Sequence, residues 1–319
     1  MRVFIAGATG ALGLPTTKAL IAAGHDVVGL TRRPEKVDLL EDLGARAVVG
    51  DVLDEDVVRR AIDDFRPDAV ANLLTALPER GPVKYSDLDA TNEVRMTGTR
   101  HLVRASLEAG VHRMVGESIV LVYGYGRSDG EFKTEESPVV ATSPPKAADA
   151  IDAVLGLERQ ILEAGPTLEG VVLRYGLFYG PGAGSTTFMM KMVQKRLLPL
   201  PGGGPGAISW IHLEDAATAT VAALERGAPG GIYNIVDDEP VAFGTYVREL
   251  ADVMGAPAPI NVFAALAKVG NTYASAALQT NLKVSNSKAK KELGWELRYP
   301  TYKEGLRSLV NASSTSDSR

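Results

Sequence analysis

The stretch RVFIAGATGALGLPTTKAL (residues 2–20) joins a short apolar run to a helical pattern through three glycines. Gly7, Gly10 and Gly13 are spaced G-x-x-G-x-x-G, and Pro15 falls in the first helical turn, where its missing N–H costs nothing. Such glycines allow a tight turn, a close approach of the backbone to a pyrophosphate, and close packing of the helix on the strand. The start of the helix then faces the negative charge. The stretch therefore predicts a strand–loop–helix unit that binds a dinucleotide; the alternative is a glycine-rich turn without a ligand.

The end of the second apolar run, HDVVGL (25–30), discriminates between dinucleotides. It is followed by Thr31, Arg32 and Arg33, with no carboxylate in the position that would accept the ribose 2′-hydroxyl of NAD. Paired guanidinium groups instead suit the 2′-phosphate of NADP, through charge-assisted hydrogen bonds. The sequence therefore favours NADP over NAD, unless the two arginines merely solvate the end of a strand.

Apolar runs and helical patterns alternate through the first half of the chain. Continuous apolar strands separated by helices are typical of a parallel sheet covered on both faces, so the fold class is a doubly wound α/β Rossmann sheet. After residue 176 the alternation of apolar runs and helical patterns becomes less regular, and a smaller, discontinuous substrate lobe is expected. The predicted boundaries are 1–175 plus about 207–237 for the nucleotide-binding domain, about 176–206 plus 238–310 for the substrate-binding lobe, and 311–319 for a disordered tail.

Composition excludes several other functions. The chain has 319 residues, a net charge of −5 and no cysteine, which argues against nucleic acid or an anionic membrane as partner and rules out thiolate chemistry. The four histidines have no metal-ligand spacing, so no metal is expected. There is no signal-peptide pattern and no run of about 18 apolar residues, so we expect a cytoplasmic protein with a small-molecule substrate.

Further motifs occur in a recognisable order. The sequence contains GATGALG (7–13), GDVLD (50–54), ATNEVRMTGTRHLV (90–103), VLRYGLFYGPG (172–182), WIHLEDAATATVAAL (210–224) and KKELGW (290–295). Over residues 1–310 the chain resembles the extended short-chain dehydrogenase/reductases, also called the NAD-dependent epimerase/dehydratase family. The resemblance implies a nicotinamide cofactor and allows a homodimer formed through the helices around 84–109 and 146–163.

The resemblance also implies a role for individual residues. Asp215 would be structural, as the cap of the helix that follows it, which agrees with the preference of aspartate for that position. The cofactor site would contain Gly7, Thr9, Gly10, Ala11, Leu12 and Gly13 at the pyrophosphate, Arg32 and Arg33 at the 2′-phosphate, Asp51 and Val52 at the adenine, Leu73, Leu74 and Thr75 at the ribose, Tyr175, Gly176 and Leu177 at the nicotinamide, and Asn92.

The sequence departs from the family where proton transfer is expected. The family places a Tyr and a Lys four residues apart on one helix, so that both face the nicotinamide. Counting back from Glu158, which resembles a family glutamate, Val154 takes the Lys position and Ala150 the Tyr position. The family's Ser/Thr position falls on Ile119, and a one-residue gap would bring Ser118 there instead. The chain thus resembles an atypical branch without the Tyr–Lys pair.

Two hydroxyl groups are candidates to replace the missing acid. Tyr123 leaves the fifth predicted strand toward the cleft, and Ser118 precedes it; the alternatives are a tyrosine packed at the rim and an ordinary strand residue. The apolar segments 188–193, 197–201 and 262–269 would border the cleft. We therefore expect an NADP-dependent oxidoreductase acting on a small, fairly apolar carbonyl or activated alkene. The alternatives are a non-catalytic NADP(H)-binding sensor or scaffold, and a lyase or epimerase that uses the cofactor transiently.

Overall fold

The computed structural model describes residues 1–125, 127–139, 145–263, 273, 276 and 280–316. The strands are β1 (Arg2–Ala6), β2 (Asp26–Thr31), β3 (Arg46–Val49), β4 (Ala69–Asn72), β5 (Arg113–Ile119), β6 (Arg127–Lys133), β7 (Glu169–Tyr175), β8 (Leu177–Tyr179), β9 (Leu200–Pro201), β10 (Ala207–Ile208), β11 (Trp210–His212), β12 (Ile232–Ile235), β13 (Val241–Ala242), β14 (Asn261–Val262) and β15 (Asn281–Val284). The helices are α1 (Gly13–Ala22), α2 (Val37–Glu41), α3 (Glu55–Phe65), α4 (Asp89–Glu93), α5 (Thr99–Ala109), α6 (Pro145–Leu162), α7 (Gly184–Gln194), α8 (Leu213–Arg226), α9 (Phe243–Val253), α10 (Ser287–Leu293) and α11 (Tyr302–Ser316).

Seven parallel strands form the central sheet, in the order β12-β7-β5-β4-β1-β2-β3. In β1, Val3 and Ile5 pack toward α1 and α8, whereas Phe4 and Ala6 pack toward the helices of the other face. Because a strand directs successive side chains to opposite faces, a continuous apolar run is what a sheet covered on both sides requires. The doubly wound Rossmann architecture predicted from the sequence is confirmed.

The two helical layers position the loops that leave the sheet. Helices α1 and α8 pack together on one face, and α3, α5 and α6 pack on the other. Helix α3 begins where the Asp54 side chain accepts hydrogen bonds from the backbone N–H groups of Asp56 and Val57, as an N-cap should. All the loops after the parallel strands emerge at one edge of the sheet, where ligands of open α/β folds bind.

The C-terminal half adds a second core and smaller sheets. Strands β13, β10, β15 and β6 form a four-stranded sheet, and the pairs β11–β8 and β14–β9 form two more. An aromatic cluster lies beneath them, in which Trp210 and Tyr246 stack with centroids 4.0 Å apart. The segment 207–212, expected in the nucleotide-binding domain, pairs outside the seven-stranded sheet, while β12 joins that sheet. The exact division into lobes stays a prediction.

The last helix continues beyond the point where a disordered tail was expected. It runs Tyr302–Ser316, since Leu306 and Leu309 anchor its preceding turns in the aromatic core; residues 317–319 lie outside the described part of the chain. No helix in the described ranges combines the length and apolar character needed to cross a membrane.

Candidate active site

The phosphate loop has the geometry that its glycines predict. Gly7 has φ +89°, and a Cβ built on it would lie 2.5 Å from the carbonyl oxygen of Leu73. A Cβ on Gly13 would overlap the backbone of Gly7 and Ala8. The backbone N–H of Gly10 donates to the carbonyl of Gly7 over 3.0 Å and closes the turn. A side chain is therefore excluded at Gly7 and Gly13, and the backbone of the loop lies open at Gly10 and Ala11, which are exposed.

The start of α1 leaves donors for an anion. Its N-cap residue, Leu12, provides no side-chain acceptor, and the first turn of the helix contains no acidic residue. The hydroxyls of Thr16 and Thr17 donate backward to the carbonyls of Leu12 and Gly13, so they do not cap the helix either. The first N–H groups of a helix need acceptors and carry partial positive charge. The loop and helix together therefore fit a dinucleotide pyrophosphate.

Three cations surround the end of β2. Arg32 lies 3.8 Å from Asp51, Arg33 lies 4.0 Å from Glu79, and both guanidinium groups are more than half exposed. Lys36, which the sequence reasoning missed, donates to the carbonyl of Thr9 over 3.4 Å. Ion pairs this long and this exposed are weak, so the guanidinium groups are available to a phosphate.

A hydroxyl pair joins this region to the phosphate loop. Thr9 and Thr31 hydrogen-bond through their Oγ1 atoms at 2.9 Å, and Thr31 also accepts from the N–H of Arg33. The residue that ends β2 is thus a threonine bound to the loop rather than a carboxylate.

The other predicted cofactor residues lie along the same edge of the sheet. Asp51 accepts from the N–H of Leu53, and the buried Val52 uses its carbonyl to bind the His101 ring at 2.9 Å. After β4 the chain becomes progressively exposed, from the buried Leu73 through the half-buried Leu74 to the exposed Thr75. Asn92 is half-buried on α4, and its Oδ1 has no hydrogen-bond partner within the described ranges.

The positions of the family's acid pair contain apolar side chains. Ala150 and Val154 are both buried on α6, where Val154 packs against the turn that follows β5. Ile119, in the family's Ser/Thr position, ends β5 and packs beside the same cluster. None of the three side chains can exchange a proton.

The two candidate hydroxyls belong to a buried network around one ion pair. Arg174 binds Glu158 through two hydrogen bonds of 2.8 and 2.7 Å, and the side chains are only 4% and 6% exposed. Ser118 donates to the same carboxylate over 2.6 Å. Tyr123 accepts from Arg174 at 3.0 Å and donates to Asn234 at 2.9 Å. Burial also raises the pKa of Tyr123. These contacts favour a structural role for both hydroxyls, and their catalytic assignment stays a prediction.

The side chain of Tyr175 packs in the core against α8. Its hydroxyl lies 2.7 Å from the hydroxyl of Thr220 on α8, and burial raises the pKa of the phenol far above its usual range. Gly176 follows at a close crossing, because a Cβ there would meet the carbonyl of Ser209 at 2.7 Å. Leu177 is half-buried and packs on the aromatic cluster. At the predicted nicotinamide end of the cofactor site, the ring of Tyr175 is therefore part of the hydrophobic core.

The expected capping role of Asp215 is wrong. The N-cap of α8 is His212, whose Nδ1 accepts from the N–H of Glu214 at 3.2 Å. Asp215 already lies inside the helix, and its carboxylate accepts from the N–H groups of Arg298 and Tyr299 at 2.8 and 3.0 Å. It is structural, as expected, but it fixes a distant segment instead of its own helix. Burial lowers the pKa of His212 to about 4, consistent with a neutral acceptor.

Glu117 is a buried acid that the sequence reasoning missed. It precedes Ile119 by two residues on β5, so it shares the strand face of the family's Ser/Thr position. The residue is 9% exposed, and its carboxyl makes no hydrogen bond within the described part of the chain. Burial raises the pKa of Glu117 to about 7, and the charge of Arg95 opposes that rise. A charged residue inside a buried strand is rare enough to have been a signal in the sequence.

Arg95 interacts electrostatically with Glu117 and with two members of a group of three tyrosines. Arg95 belongs to a π-helical turn, Val94–Gly98, between α4 and α5. The ring of Tyr273 meets those of Tyr85 and Tyr125 edge-on, with centroids 5.9 and 6.0 Å apart. Burial lowers the pKa of Arg95, while the charge of Glu117 raises it. Charged and aromatic groups thus converge at the sheet edge that carries the phosphate loop.

Comparisons with known proteins agree with this architecture. Residues 3–236 match the model of the NAD-dependent epimerase/dehydratase family. A 3-diazoavenalumate denitrifying reductase of a Streptomyces species is 36% identical over 312 residues, covering 96% of this chain and 99% of that protein.

Two further proteins are similar to this chain over nearly its whole length. A 4-hydroxy-2-methyl-3-oxo-4-farnesyl-3,4-dihydroquinoline-1-oxide ketoreductase of Stigmatella aurantiaca is 25% identical over 336 residues, covering 98% of this chain and 96% of its own. The structure of UDP-glucose 4-epimerase from Thermus thermophilus in complex with NAD matches with a TM-score of 0.76 and 26% identity, covering 98% of both chains. This protein therefore belongs to the NAD-dependent epimerase/dehydratase family and is an NAD(P)-dependent oxidoreductase.

Proposed function

We propose that the protein is an NADP(H)-dependent reductase of small, fairly apolar carbonyl or activated alkene compounds that works without a tyrosine–lysine pair. One observation carries this proposal: a phosphate loop with open backbone donors lies on the same sheet edge as the buried Ala150 and Val154, which take the positions of the pair. The cofactor site fits its ligand, whereas the usual acid is absent. The reaction must then depend on positioning and on another source of protons.

The preference for NADP rests on the cations at the end of β2. Arg32, Arg33 and Lys36 converge where a ribose 2′-phosphate would lie, and Thr31 replaces the carboxylate that NAD would need. The bound nicotinamide would supply a hydride. The protein would contribute the backbone donors of the loop, these cations, and the apolar residues that exclude water.

Glu117 is our candidate for the proton source. A ketone that gains a hydride at carbon must gain a proton at oxygen, and an activated alkene gains hydride and proton at its two carbons. The carboxyl of Glu117 is partly protonated near neutral pH, because burial raises its pKa to about 7. An acid with a pKa close to the working pH is suited to this step. Water is the alternative donor.

A second candidate reaction needs no proton at all. The relative that is 36% identical has a name describing the reduction of a diazo compound. If the acceptor is an aryl diazonium ion, one hydride replaces the departing N2, the C–N bond breaks, and the product is an arene and N2. Charge and atoms balance without an acid. The apolar residues Ala150 and Val154 favour this candidate specifically, since such a reaction does not need the proton that a tyrosine–lysine pair would donate.

The test uses NADPH carrying deuterium at the transferable ring position. The protein is incubated with this cofactor and a panel of ketones, enones and aryl diazonium salts, and with a metabolite extract, and products are analysed by mass spectrometry. A reductase transfers one deuterium to product. Repeating the reaction with unlabelled cofactor in heavy water separates the alkene and diazonium candidates, because the saturated product formed from an activated alkene keeps a solvent deuterium on carbon and an arene formed from a diazonium ion keeps none.

Other outcomes would redirect the proposal. Tight NADPH binding with no labelled product would favour the sensor or scaffold alternative. A product formed without net label and without cofactor consumption would favour a lyase or epimerase. The homodimer and the cytoplasmic location stay predictions.

A further inference from the structure

Arg95 is a buried cation whose charge is not compensated by a hydrogen bond. It is 7% exposed, and the Nε atom of its guanidinium is buried without a hydrogen-bond partner in the described ranges. The acid whose charge acts on it, Glu117, makes no hydrogen bond to it. Taking a guanidinium out of water without an acceptor costs several kcal/mol. Such a cost is expected where a bound ligand provides the missing acceptor.

The backbone at Arg95 is also unusual. The helical segment from Asp89 to Ala109 is interrupted by the π-helical turn Val94–Gly98, which contains Arg95. A π-turn is costly, and such turns occur often at functional sites. It changes the direction in which side chains leave the helix at this position, and Arg95 is buried whereas its neighbour Met96 is 40% exposed.

A cluster of three aromatic rings lies near this cation, and two of them interact with it electrostatically. Tyr85 begins the short helical turn after β4, Tyr125 follows β5, and Tyr273 packs edge-on against both. The hydroxyls of Tyr125 and Tyr273 hydrogen-bond to each other, so the rings are held together. The charge of Arg95 acts on both of these phenols. An aromatic cluster next to a guanidinium suits a planar, conjugated ligand with an anionic end.

The number of charges indicates which anion fits. One guanidinium offers a planar fork that matches a carboxylate through two parallel hydrogen bonds. A sugar-nucleotide pyrophosphate would need several cations, whereas within the described part of the chain the one other charged group that interacts with Arg95 is the acid Glu117. A monoanion is therefore favoured over a dianion.

Resting on the proposed function, we infer that Arg95 binds the carboxylate of an aromatic or conjugated carboxylic acid, whose planar body packs against the cluster formed by Tyr85, Tyr125 and Tyr273. The strands β4 and β5 end beside the phosphate loop, so a substrate held in this way places its conjugated part toward the predicted nicotinamide position. Glu117 then borders the same space. The substrates inferred for this protein are therefore planar acids with one carboxylate, a smaller class than the fairly apolar compounds proposed above.

The test measures binding without turnover. Protein saturated with NADP⁺ is titrated by calorimetry with trans-cinnamate, which has a carboxylate, and with trans-cinnamamide, which has the same shape and no charge. We expect cinnamate to bind at least about tenfold more tightly than the amide, as for a charged hydrogen-bond pair. Equal affinities, or no binding of cinnamate at millimolar concentration, would overturn the inference.

Variants distinguish recognition from a structural role. Arg95→Met should abolish the preference for cinnamate and raise the melting temperature, because it removes a buried unpaired charge. Arg95→Lys should retain part of the preference, since it keeps the charge without the fork. The control is Arg100→Met, an exposed arginine on α5, which should change neither quantity. The inference is contradicted if Arg95→Met still binds cinnamate more tightly than the amide. It is also contradicted if Arg95→Met is much less stable than the wild type while Arg95→Lys keeps the full preference for cinnamate.

The affinity for NADPH is measured in parallel on every variant. It should stay unchanged, and it tests the proposed function separately. Loss of the cinnamate preference therefore cannot be confused with loss of the cofactor site. A protein that prefers cinnamate but transfers no deuterium would support the Arg95 site while contradicting the reductase proposal.

Discussion

The pH dependence of stability should reveal the buried acid on β5. Burial raises the pKa of Glu117 from 4.5 to about 7. Below pH 4.5 the carboxyl is protonated in both the folded and the unfolded protein and contributes no difference. Between these pKa values only the folded state retains the proton, so the free energy of unfolding falls as the pH rises. At about 1.4 kcal/mol for each pH unit, the loss is on the order of 3 kcal/mol once the pH exceeds 7.

Glu117→Gln keeps the shape of the neutral acid and cannot ionise. Relative to the wild type, it should gain stability from about pH 4.5 to about pH 7 and then level off, at on the order of 3 kcal/mol. The assay is urea unfolding across this range, followed by far-ultraviolet circular dichroism. Asp237, another buried acid whose pKa rises to about 8, contributes equally to both proteins and cancels in the difference.

The matched control replaces an exposed carboxyl close in sequence to Arg95. Glu93→Gln on α4 should give a difference curve that is flat across the same pH range. A flat curve for Glu117→Gln as well would show that Glu117 ionises in the folded protein as it does in water. In that case its role as a proton source at neutral pH would lose its physical basis.

Three further perturbations address other parts of the site. Arg32→Ala combined with Arg33→Ala should weaken NADPH binding by about tenfold or more and leave NADH binding within about twofold, because only NADPH carries the 2′-phosphate. Fluorescence titration measures both affinities, and equal losses for the two cofactors would contradict the 2′-phosphate assignment. Glu158→Gln should lower the free energy of unfolding by about 3 kcal/mol in urea unfolding, since it leaves the buried guanidinium of Arg174 without a countercharge. A decrease below about 1 kcal/mol would mean that water reaches the ion pair. Tyr123→Phe should cost about 1 kcal/mol of stability and keep kcat within about threefold in the deuterium assay, whereas a loss of kcat of about a hundredfold would restore the tyrosine as the acid.

Much of the nucleotide-binding half follows from local rules. The glycine spacing predicts the loop because a side chain at Gly7 or Gly13 would collide with backbone atoms, and this constraint is visible in the sequence. The parallel strands follow from apolar runs that have no polar alternation. The choice of cations at the end of β2 could also be predicted, although Lys36 could not, since it reaches Thr9 from a separate helical turn.

The chemistry of the site depends on contacts that no local pattern contains. Ser118 and Tyr123 stand at plausible positions in the sequence, yet one is bound to Glu158 from α6 and the other to Asn234 from β12. Glu117 was visible as a charged residue in an apolar strand, but its pKa depends on burial and on Arg95 from a different element. Which hydroxyl is free and which acid is protonated are properties of tertiary packing.

The π-turn at Val94–Gly98 has a consequence for how this site could change over generations. A π-turn holds one more residue than the α-helical turn it replaces, so deleting a single residue there would let the helix close into regular α geometry. Side chains beyond the deletion point would keep their register against the sheet, while those at the turn would rotate by about 100°. Loss or gain of one codon could thus move a cation into or out of the cleft while sparing the core. Substrate preference in such a lineage could switch in a single step that leaves the cofactor site intact.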